Sequence, residues 1–253
     1  MATSPTSTNA LTEQYRQAQL QIRAQALRDF TTLWQIWKGD ENSFAELVTA
    51  SIALVRVYRN ISAAAAASYY EAFREAAQAA GVPATVLSSA IPDGQVASSL
   101  YVTARDALRS ALTAGQTATQ ARETAFVRAS GAVSRHIIDG GRQTILDSVA
   151  ADPEAVGWAR VTDGNPCYFC LTLASRGAVY KSEQSADFKA HDHCACVAMP
   201  VFKGTEIPGL AEWRRIYNDA QNQGESSGLL QPGENSSAAR LRAVRQYLTA
   251  QGG

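Results

Sequence analysis

The sequence predicts a mainly α-helical N-terminal region followed by a small α+β C-terminal module that is stabilised by zinc. Three observations lead to this fold class. Apolar residues recur at helical spacing through most of residues 11–150. After Asp152-Pro153, aromatic and β-branched residues, glycines and cysteines replace the earlier pattern of Ala, Gln and Arg. All four cysteines of the chain then fall between Cys167 and Cys196.

The first part of the chain divides into helices separated by turn residues. Residues 1–10 are rich in Ser, Thr and Asn, and we expect them to form a disordered tail. Residues 11–117 are expected to form the helical N-terminal region, in which Asn42-Ser43 can cap the second helix. The helices of this region are predicted over residues 11–38, 43–80 and 96–112.

Residues 118–223 are expected to form the C-terminal module that contains the Cys/His cluster. Residues 224–237 have the composition of a linker, and residues 238–253 are expected to form a basic C-terminal helix. Within the module, Gly131 separates two predicted helices, and β-branched and aromatic runs predict strands. These elements are helices over residues 118–130, 132–150 and 208–222, and strands over residues 158–161, 178–180 and 196–202.

Composition excludes several classes of protein. Lys plus Arg equals Asp plus Glu at 23 each, so global charge argues neither for nor against a nucleic-acid partner. Charges around the cysteines are also balanced, which argues against specific DNA recognition by that module. The first residues lack the basic and apolar segments of a signal peptide. The most apolar helical stretch, residues 44–58, is interrupted by Glu46 and Arg56 and is too short to span a bilayer. We therefore expect an intracellular protein without a membrane partner.

The cysteines and histidines form two groups with the spacing of a zinc site. Cys167-Tyr-Phe-Cys170 is one knuckle, and His191-Asp-His193-Cys194-Ala-Cys196 is the other. Two such turns can aim four ligands at one tetrahedral zinc ion, which would help a small module to fold. Cys167 and Cys170 are the firm half of the site, whereas His191, Cys194 and Cys196 compete for the other places. Two disulfides or metal-free thiols in a buried hairpin are the alternatives.

Three enzymatic interpretations can be compared with these residues. Pro166-Cys167-x-x-Cys170 is like half of a zinc deaminase motif, but the upstream His-x-Glu that such chemistry needs is missing. His191-Asp-His193 would suit a nuclease, although histidines beside ligating cysteines are more often ligands. Ser134 and His136, with Asp139 nearby, are the serine–histidine neighbours outside the cysteine cluster. Residues two apart on a helix point to different sides, so this serine and histidine could not pair directly as protease residues. We find no credible catalytic set, which favours a role other than catalysis.

The order of several motifs resembles the phage Mu F-like head-morphogenesis family of minor capsid proteins, especially its versions from actinobacterial phages. The resemblance covers about residues 120–203. Its motifs are Arg128, Gly141-Arg142, Trp158-x-Arg160-Val161-x-Asp163, Cys167-x-x-Cys170, Arg176-Gly177-x-Val179-Tyr180 and His191-x-x-Cys194-x-Cys196. The chain departs from the family where Pro-Pro-x-His-Pro is usual and Phe188-Lys-Ala-His191-Asp stands instead. The acidic or histidine pattern that follows the first knuckle in some members is also missing.

The resemblance implies a structural role in the virion. Residues 118–223 would then be the Mu F-like module of a minor head protein, made in the host cytoplasm and located in the head interior. The implied partners are the portal protein and the major capsid protein, with packaged phage DNA as a further candidate. Such proteins act in head assembly or in DNA packaging and ejection. Genomic analogy to capsid maturation proteases supplies the alternative function.

The C-terminal helix adds one candidate contact surface. Arg240, Arg242 and Arg245 are spaced so that two or three of them share a face. They are candidates for binding DNA phosphates or an acidic portal surface. A solvated basic face is the alternative interpretation.

Overall fold

The computed structural model describes residues 7–162, 166–178, 188, 190–231, 234 and 236–251. Long helices dominate the first part of the chain, and a short antiparallel sheet with further helices follows. The helices are α1 (Thr8–Leu33), α2 (Glu41–Ala76), α3 (Asp93–Leu100), a π-helical turn (Tyr101–Asp106), α4 (Ala107–Thr113), α5 (Ala118–Ala151), α6 (Tyr168–Ala174), α7 (Leu210–Ser226) and α8 (Ser237–Ala250). The strands are β1 (Ala155–Val161) and β2 (Val197–Phe202).

Side-chain caps fix where the long helices begin. Ser7 accepts a hydrogen bond from the Ala10 amide at the start of α1, so the helix begins inside the segment expected to be a tail. The cap predicted at Asn42-Ser43 is wrong, because Asp40 takes this role one turn earlier. Its Oδ1 accepts from the Ser43 amide at 2.9 Å, and its Oδ2 accepts from the Ser43 hydroxyl at 2.6 Å.

Helix α5 is continuous through Gly131, so the prediction of two helices over residues 118–150 is wrong. Thr117 and Gln120 form a capping box at its start. A glycine lowers helix propensity but does not end a helix when tertiary contacts hold both sides. In this helix, the missing side chains at Gly140 and Gly141 allow α2 and α1 to approach closely.

The helical core is formed by α1, α2 and α5 packed together, with α3, the π-helical turn and α4 against α5. Its first cluster of buried side chains includes Phe30, Trp34 and Trp37 from the end of α1 and the turn after it. A buried ion pair connects the C-terminal ends of α2 and α5, where Arg74 Nε donates to Asp152 Oδ2 at 2.7 Å. Tyr70 also donates to this carboxylate, at 3.0 Å. The junction of α2, α5 and β1 is thereby fixed by hydrogen-bonded, compensated charges.

The sheet lies against the far end of these helices. β1 and β2 are antiparallel, with Val161 opposite Val197 and Ala155 opposite Phe202. The predicted first and third strands are therefore confirmed. In the predicted second strand, Ala178 lies outside any strand, and residues 179 and 180 lie outside the described residues. The second buried cluster joins sheet and helices, and it includes Cys170, Cys194 and Cys196.

The last three helices form a separate small cluster. Leu171 and Ala174 of α6 pack against Trp213 and Ala220 of α7 and Val244 of α8. Within the segment expected to be a linker, α7 continues to Ser226. Leu230 is also buried there, against Ala239 and Ala243. This part of residues 224–237 is therefore packed.

The observed architecture confirms the predicted fold class, a mainly helical protein with a small α+β C-terminal part. The proposed division into a region of residues 11–117 and a module of residues 118–223 stays a prediction, since α5 packs against both α1 and α2 and against the sheet. A bilayer-spanning helix would need a long apolar stretch, and none of the described helices has one.

We expect Gly140→Ala to destabilise the helical core. A Cβ at this position would lie 2.6 Å from both the Cγ and the carbonyl oxygen of Arg59, so α2 must shift. Overpacking of this kind costs about 1–3 kcal/mol of unfolding free energy, measurable by denaturant unfolding followed with circular dichroism. Gly94→Ala is the matched control, because Gly94 lies in α3 with no atom within 4 Å of a new Cβ. Equal stabilities of the two variants would contradict the packing argument.

Candidate metal centre

The pairing of the two strands brings the two knuckles together. β1 ends at Val161, which lies opposite the first residue of β2, Val197. The chain that leaves β1 therefore starts at the same edge of the sheet as the chain that enters β2. Cys167 and Cys170 follow β1 at the start of α6, whereas His191, Cys194 and Cys196 precede β2. This register places all five predicted ligands at one end of the sheet.

The ligand atoms converge as two overlapping triads. Cys167, Cys170 and His191 form one triad, and Cys170, Cys194 and Cys196 form the other, with all atoms of a triad within 4.8 Å of one another. Cys170 belongs to both. Its Sγ lies 3.7 Å from His191 Nε2 and 3.5 Å from Cys194 Sγ. Cys167 Sγ lies 2.9 Å from the same imidazole nitrogen.

The donor set fits a tetrahedral zinc site better than a disulfide. All four cysteines are free, and 3.5 Å between Cys170 Sγ and Cys194 Sγ far exceeds an S–S bond of about 2.05 Å. Two thiolates on one zinc ion, each at about 2.3 Å, lie about 3.8 Å apart in tetrahedral geometry. Neither triad contains a carboxylate, so the ligands are the soft sulfur and imidazole donors that structural zinc sites use.

Close contact among the thiols favours the thiolate form at some of them. The hydrogen bond from Cys170 lowers the pKa of Cys167 to about 5, and His191 acts in the same direction. Hydrogen bonds with Cys170 and Cys196 also lower the pKa of Cys194. The pKa of Cys170 is raised in turn, because its proton is shared with its neighbours. Thiolates are the form in which cysteine binds a metal.

His191 is oriented as a ligand, and His193 is not. Nδ1 of His191 lies 2.7 Å from the carbonyl oxygen of Asp192, so the other ring nitrogen is directed at the thiols. His193 has a left-handed backbone with φ of 65°, and its ring packs over Gly131 of α5. A Cβ at Gly131 would lie 2.6 Å from Nε2 of this ring, so the glycine allows the loop to approach.

One face of α5 holds the ligand loop. Arg135 Nε donates to Asp192 Oδ1 at 2.9 Å. Two turns along, the buried guanidinium of Arg142 donates to the carbonyl oxygens of Cys194 at 3.0 Å and Cys196 at 2.8 Å. Asp139 accepts from the same guanidinium at 2.8 Å, so the buried charge is partly compensated. The loop is thereby fixed to the helix by backbone as well as side-chain contacts.

A second guanidinium, that of Arg160 on β1, lies against the sulfur atoms. The sequence motifs include Arg142 and Arg160 but do not predict a role for either. The role of Arg142 could have been predicted from its position, because it lies within the buried apolar stripe of Ile138, Ile145 and Val149 on α5. A charged residue in such a stripe needs buried partners, which here are the ligand loop's carbonyls.

The residues considered for proteolysis all lie on α5, and the hydrogen bonds of His136 and Asp139 are to other residues. Ser134 is buried on α5, and Asp139 pairs with Arg142. Nε2 of His136 lies 2.7 Å from the hydroxyl of Ser99, and its backbone carbonyl accepts from Arg59 at 2.6 Å. Within the described part of the chain, no carboxylate hydrogen-bonds to this imidazole, so the third member of a triad is missing there.

The three arginines of α8 have different surroundings. Arg242 and Arg245 are exposed and share a face with Gln246 and Thr249, as the spacing predicts. Arg240 is half-buried, and its Nε donates to the carbonyl oxygen of Glu234 at 3.2 Å. Binding of DNA or an acidic protein by this face stays a prediction.

The sequence profile of one protein family, described as VG15 protein, matches residues 6–220. The chain belongs to the VG15 protein family. This is a family of viral gene products, and membership supports a bacteriophage origin and is consistent with a structural or assembly protein. It does not select the Mu F-like family that the motif order resembles. No curated protein and no solved structure matches the chain.

The VG15 match includes all five candidate ligands and both buried arginines. It also spans the helical core and the sheet, so the candidate metal centre lies within the matched range. α8 begins at Ser237 and lies outside the matched range. The basic face of α8 therefore derives no support from family membership.

We expect the VG15 chain to lose stability in acid through His136. Burial, followed by the nearby charges of Arg135 and Arg59, lowers the pKa of this imidazole from 6.5 to about 4. Because the unfolded chain binds the proton more readily, stability is full above pH 6.5 and falls toward the folded pKa. The loss attributable to His136 is about 2–3 kcal/mol between about pH 7.5 and about pH 4.5.

His136→Gln is the matched variant, since its amide can retain the contact with Ser99 but does not titrate in this range. Denaturant unfolding at both pH values should show a smaller acid loss in the variant. Acid effects on the cysteine cluster are common to both proteins and cancel in the difference. Identical losses would show that His136 does not contribute to acid sensitivity.

Proposed function

We propose that this VG15-family protein is a phage minor capsid protein of the Mu F-like head-morphogenesis type, with a structural zinc centre. It acts in the head interior with the portal protein and the major capsid protein, in head assembly or in DNA packaging and ejection. The order of motifs from Arg128 to Cys196 supports the family type, and membership of a viral gene-product family supports the phage context.

The main support for the proposal is the position of the candidate ligands between two clusters of buried side chains. Cys170, Cys194 and Cys196 belong to the buried cluster that joins the sheet to the long helices. Two other residues of α6, Leu171 and Ala174, belong to the buried cluster that includes α7 and α8. A metal ion held here would therefore fix the last three helices to the helical core.

This placement favours an assembly role over catalysis. Zinc would be held by thiolates from both knuckles, with His191 as the nitrogen ligand available, and would act as a cross-link between β1–α6 and the chain before β2. Asp192, the acidic residue nearest in sequence to the ligands, is paired with Arg135. Rigid cross-links suit a protein that presents fixed surfaces to large partners.

We assign the contacts with the portal protein and packaged DNA to exposed surfaces away from the proposed zinc cross-link. The exposed Arg242 and Arg245 give α8 a positive face, which suits an acidic portal surface or the phosphates of packaged DNA. No acidic residue lies within Ser237–Ala250. Binding through this face should weaken as salt is raised, because screening reduces attraction between exposed charges.

Quantitative mass spectrometry of purified virions tests the assignment. We expect the chain in heads from which DNA and tails have been removed, at far fewer copies than the major capsid protein and cross-linkable to the portal protein. A non-structural protein of the same phage is the control and should be absent from the heads. A chain found in infected cells but missing from both virions and proheads would contradict the proposal.

A further inference from the structure

Two buried guanidiniums border the candidate metal centre, and they contact it in different ways. Arg142 holds backbone carbonyls of the second knuckle, whereas Arg160 reaches the sulfur atoms. Nη1 of Arg160 lies 3.9 Å from Cys170 Sγ and 3.9 Å from Cys194 Sγ. One of these cysteines comes from each knuckle, so a single guanidinium spans the two halves of the site.

The position of Arg160 is fixed by the fold. Its backbone pairs with Ala198 in the sheet, and its side chain is 2% exposed. The guanidinium lies 3.8 Å from the centre of the Phe188 ring, over which Arg142 also lies, at 4.8 Å. Cation–π contacts of this kind are strongest where water is excluded. The contact between Arg160 and sulfur therefore does not depend on a mobile surface side chain.

The charge of the proposed centre explains why a cation is needed there. Zinc with three thiolates and one imidazole carries one net negative charge, and with four thiolates it carries two. An excess negative charge in a buried site is costly unless a compensating charge and hydrogen-bond donors lie next to it. A guanidinium stays protonated and offers several N–H donors in a fixed plane.

We propose that Arg160 is a positioning residue of the metal centre and that it holds the sulfurs of Cys170 and Cys194 as metal ligands. Its charge offsets that of the metal–thiolate group, and its N–H groups fix one ligand from each knuckle. Cys170 and Cys194 are then the required pair among the five candidates. Two of the three other candidates, Cys167, His191 and Cys196, supply the remaining places. This inference rests on the proposed zinc centre.

Zinc affinity of the full chain tests the role of Arg160. The measurement is competition with a chromophoric chelator for the wild type, Arg160→Gln, Arg160→Lys and Arg122→Gln. We expect Arg160→Gln to bind one zinc ion about 10–100-fold more weakly, the range typical for residues that orient metal ligands. Arg122→Gln is the matched control. Arg122 also makes a cation–π contact, 5.4 Å from the ring centre of Trp34, and donates to backbone carbonyls, but its partners lie in the buried cluster without candidate ligands, so zinc affinity should be unchanged.

The sulfur-to-cobalt charge-transfer band of a cobalt-substituted sample reports on the metal ligands, and a loss of stability alone would not shift it. Arg160→Lys keeps the charge but replaces the planar guanidinium, which lies over the Phe188 ring, with a shorter side chain that ends in an ammonium group. We therefore expect partial recovery of affinity and a shifted sulfur-to-cobalt charge-transfer band. If Arg160→Gln does not fold, this variant decides the question. Wild-type affinity and an unchanged band in Arg160→Lys, or wild-type affinity in Arg160→Gln, would overturn the role of Arg160. Absence of zinc binding by the wild type would instead overturn the proposed centre.

Discussion

The buried guanidinium of Arg142 joins the two halves of this structure. It lies on α5, the helix that packs against both other long helices, and it donates to carbonyl oxygens of Cys194 and Cys196. A buried charge must keep its partners, so the loop cannot leave the helix without a large cost in free energy. The loop's path then fixes where β2 begins. Because β2 pairs with β1, the same contact also determines where the first knuckle stands.

Helix α6 connects the ligand cluster to the last two helices of the chain. Cys167 caps the helix, and Cys170 faces the ligand cluster in its first turn. Leu171 and Ala174 of the same short helix pack on α7 and α8. A helix of seven residues is unstable alone, so its position depends on both sets of contacts. This dependence is the physical reason to expect a metal cross-link there, and it is also the reason to regard the centre as structural.

Much of this arrangement could be predicted from local patterns, and the rest depends on contacts between distant residues. Helical periodicity and the spacing of cysteines are local, which is why the long helices and the two knuckles were predictable. Local sequence predicts a helix break at Gly131, whereas the contact that requires a glycine there is with His193, in another part of the chain. Three other features also depend on contacts between residues distant in sequence. They are the register of β2 against β1, the place of Cys170 in both triads and the contact of Arg160 with sulfur. Motif order indicated a phage head protein, and the family match supports the phage context without the finer assignment.

We propose that the cysteine–histidine cluster binds one metal ion that joins the helical core to the C-terminal helices. Elemental mass spectrometry on protein purified under reducing conditions, combined with thiol counting before and after chelation, tests this proposal. We expect close to one zinc ion per chain and thiols that become reactive when the metal is removed. A metal-free protein whose four thiols react freely from the start would contradict it.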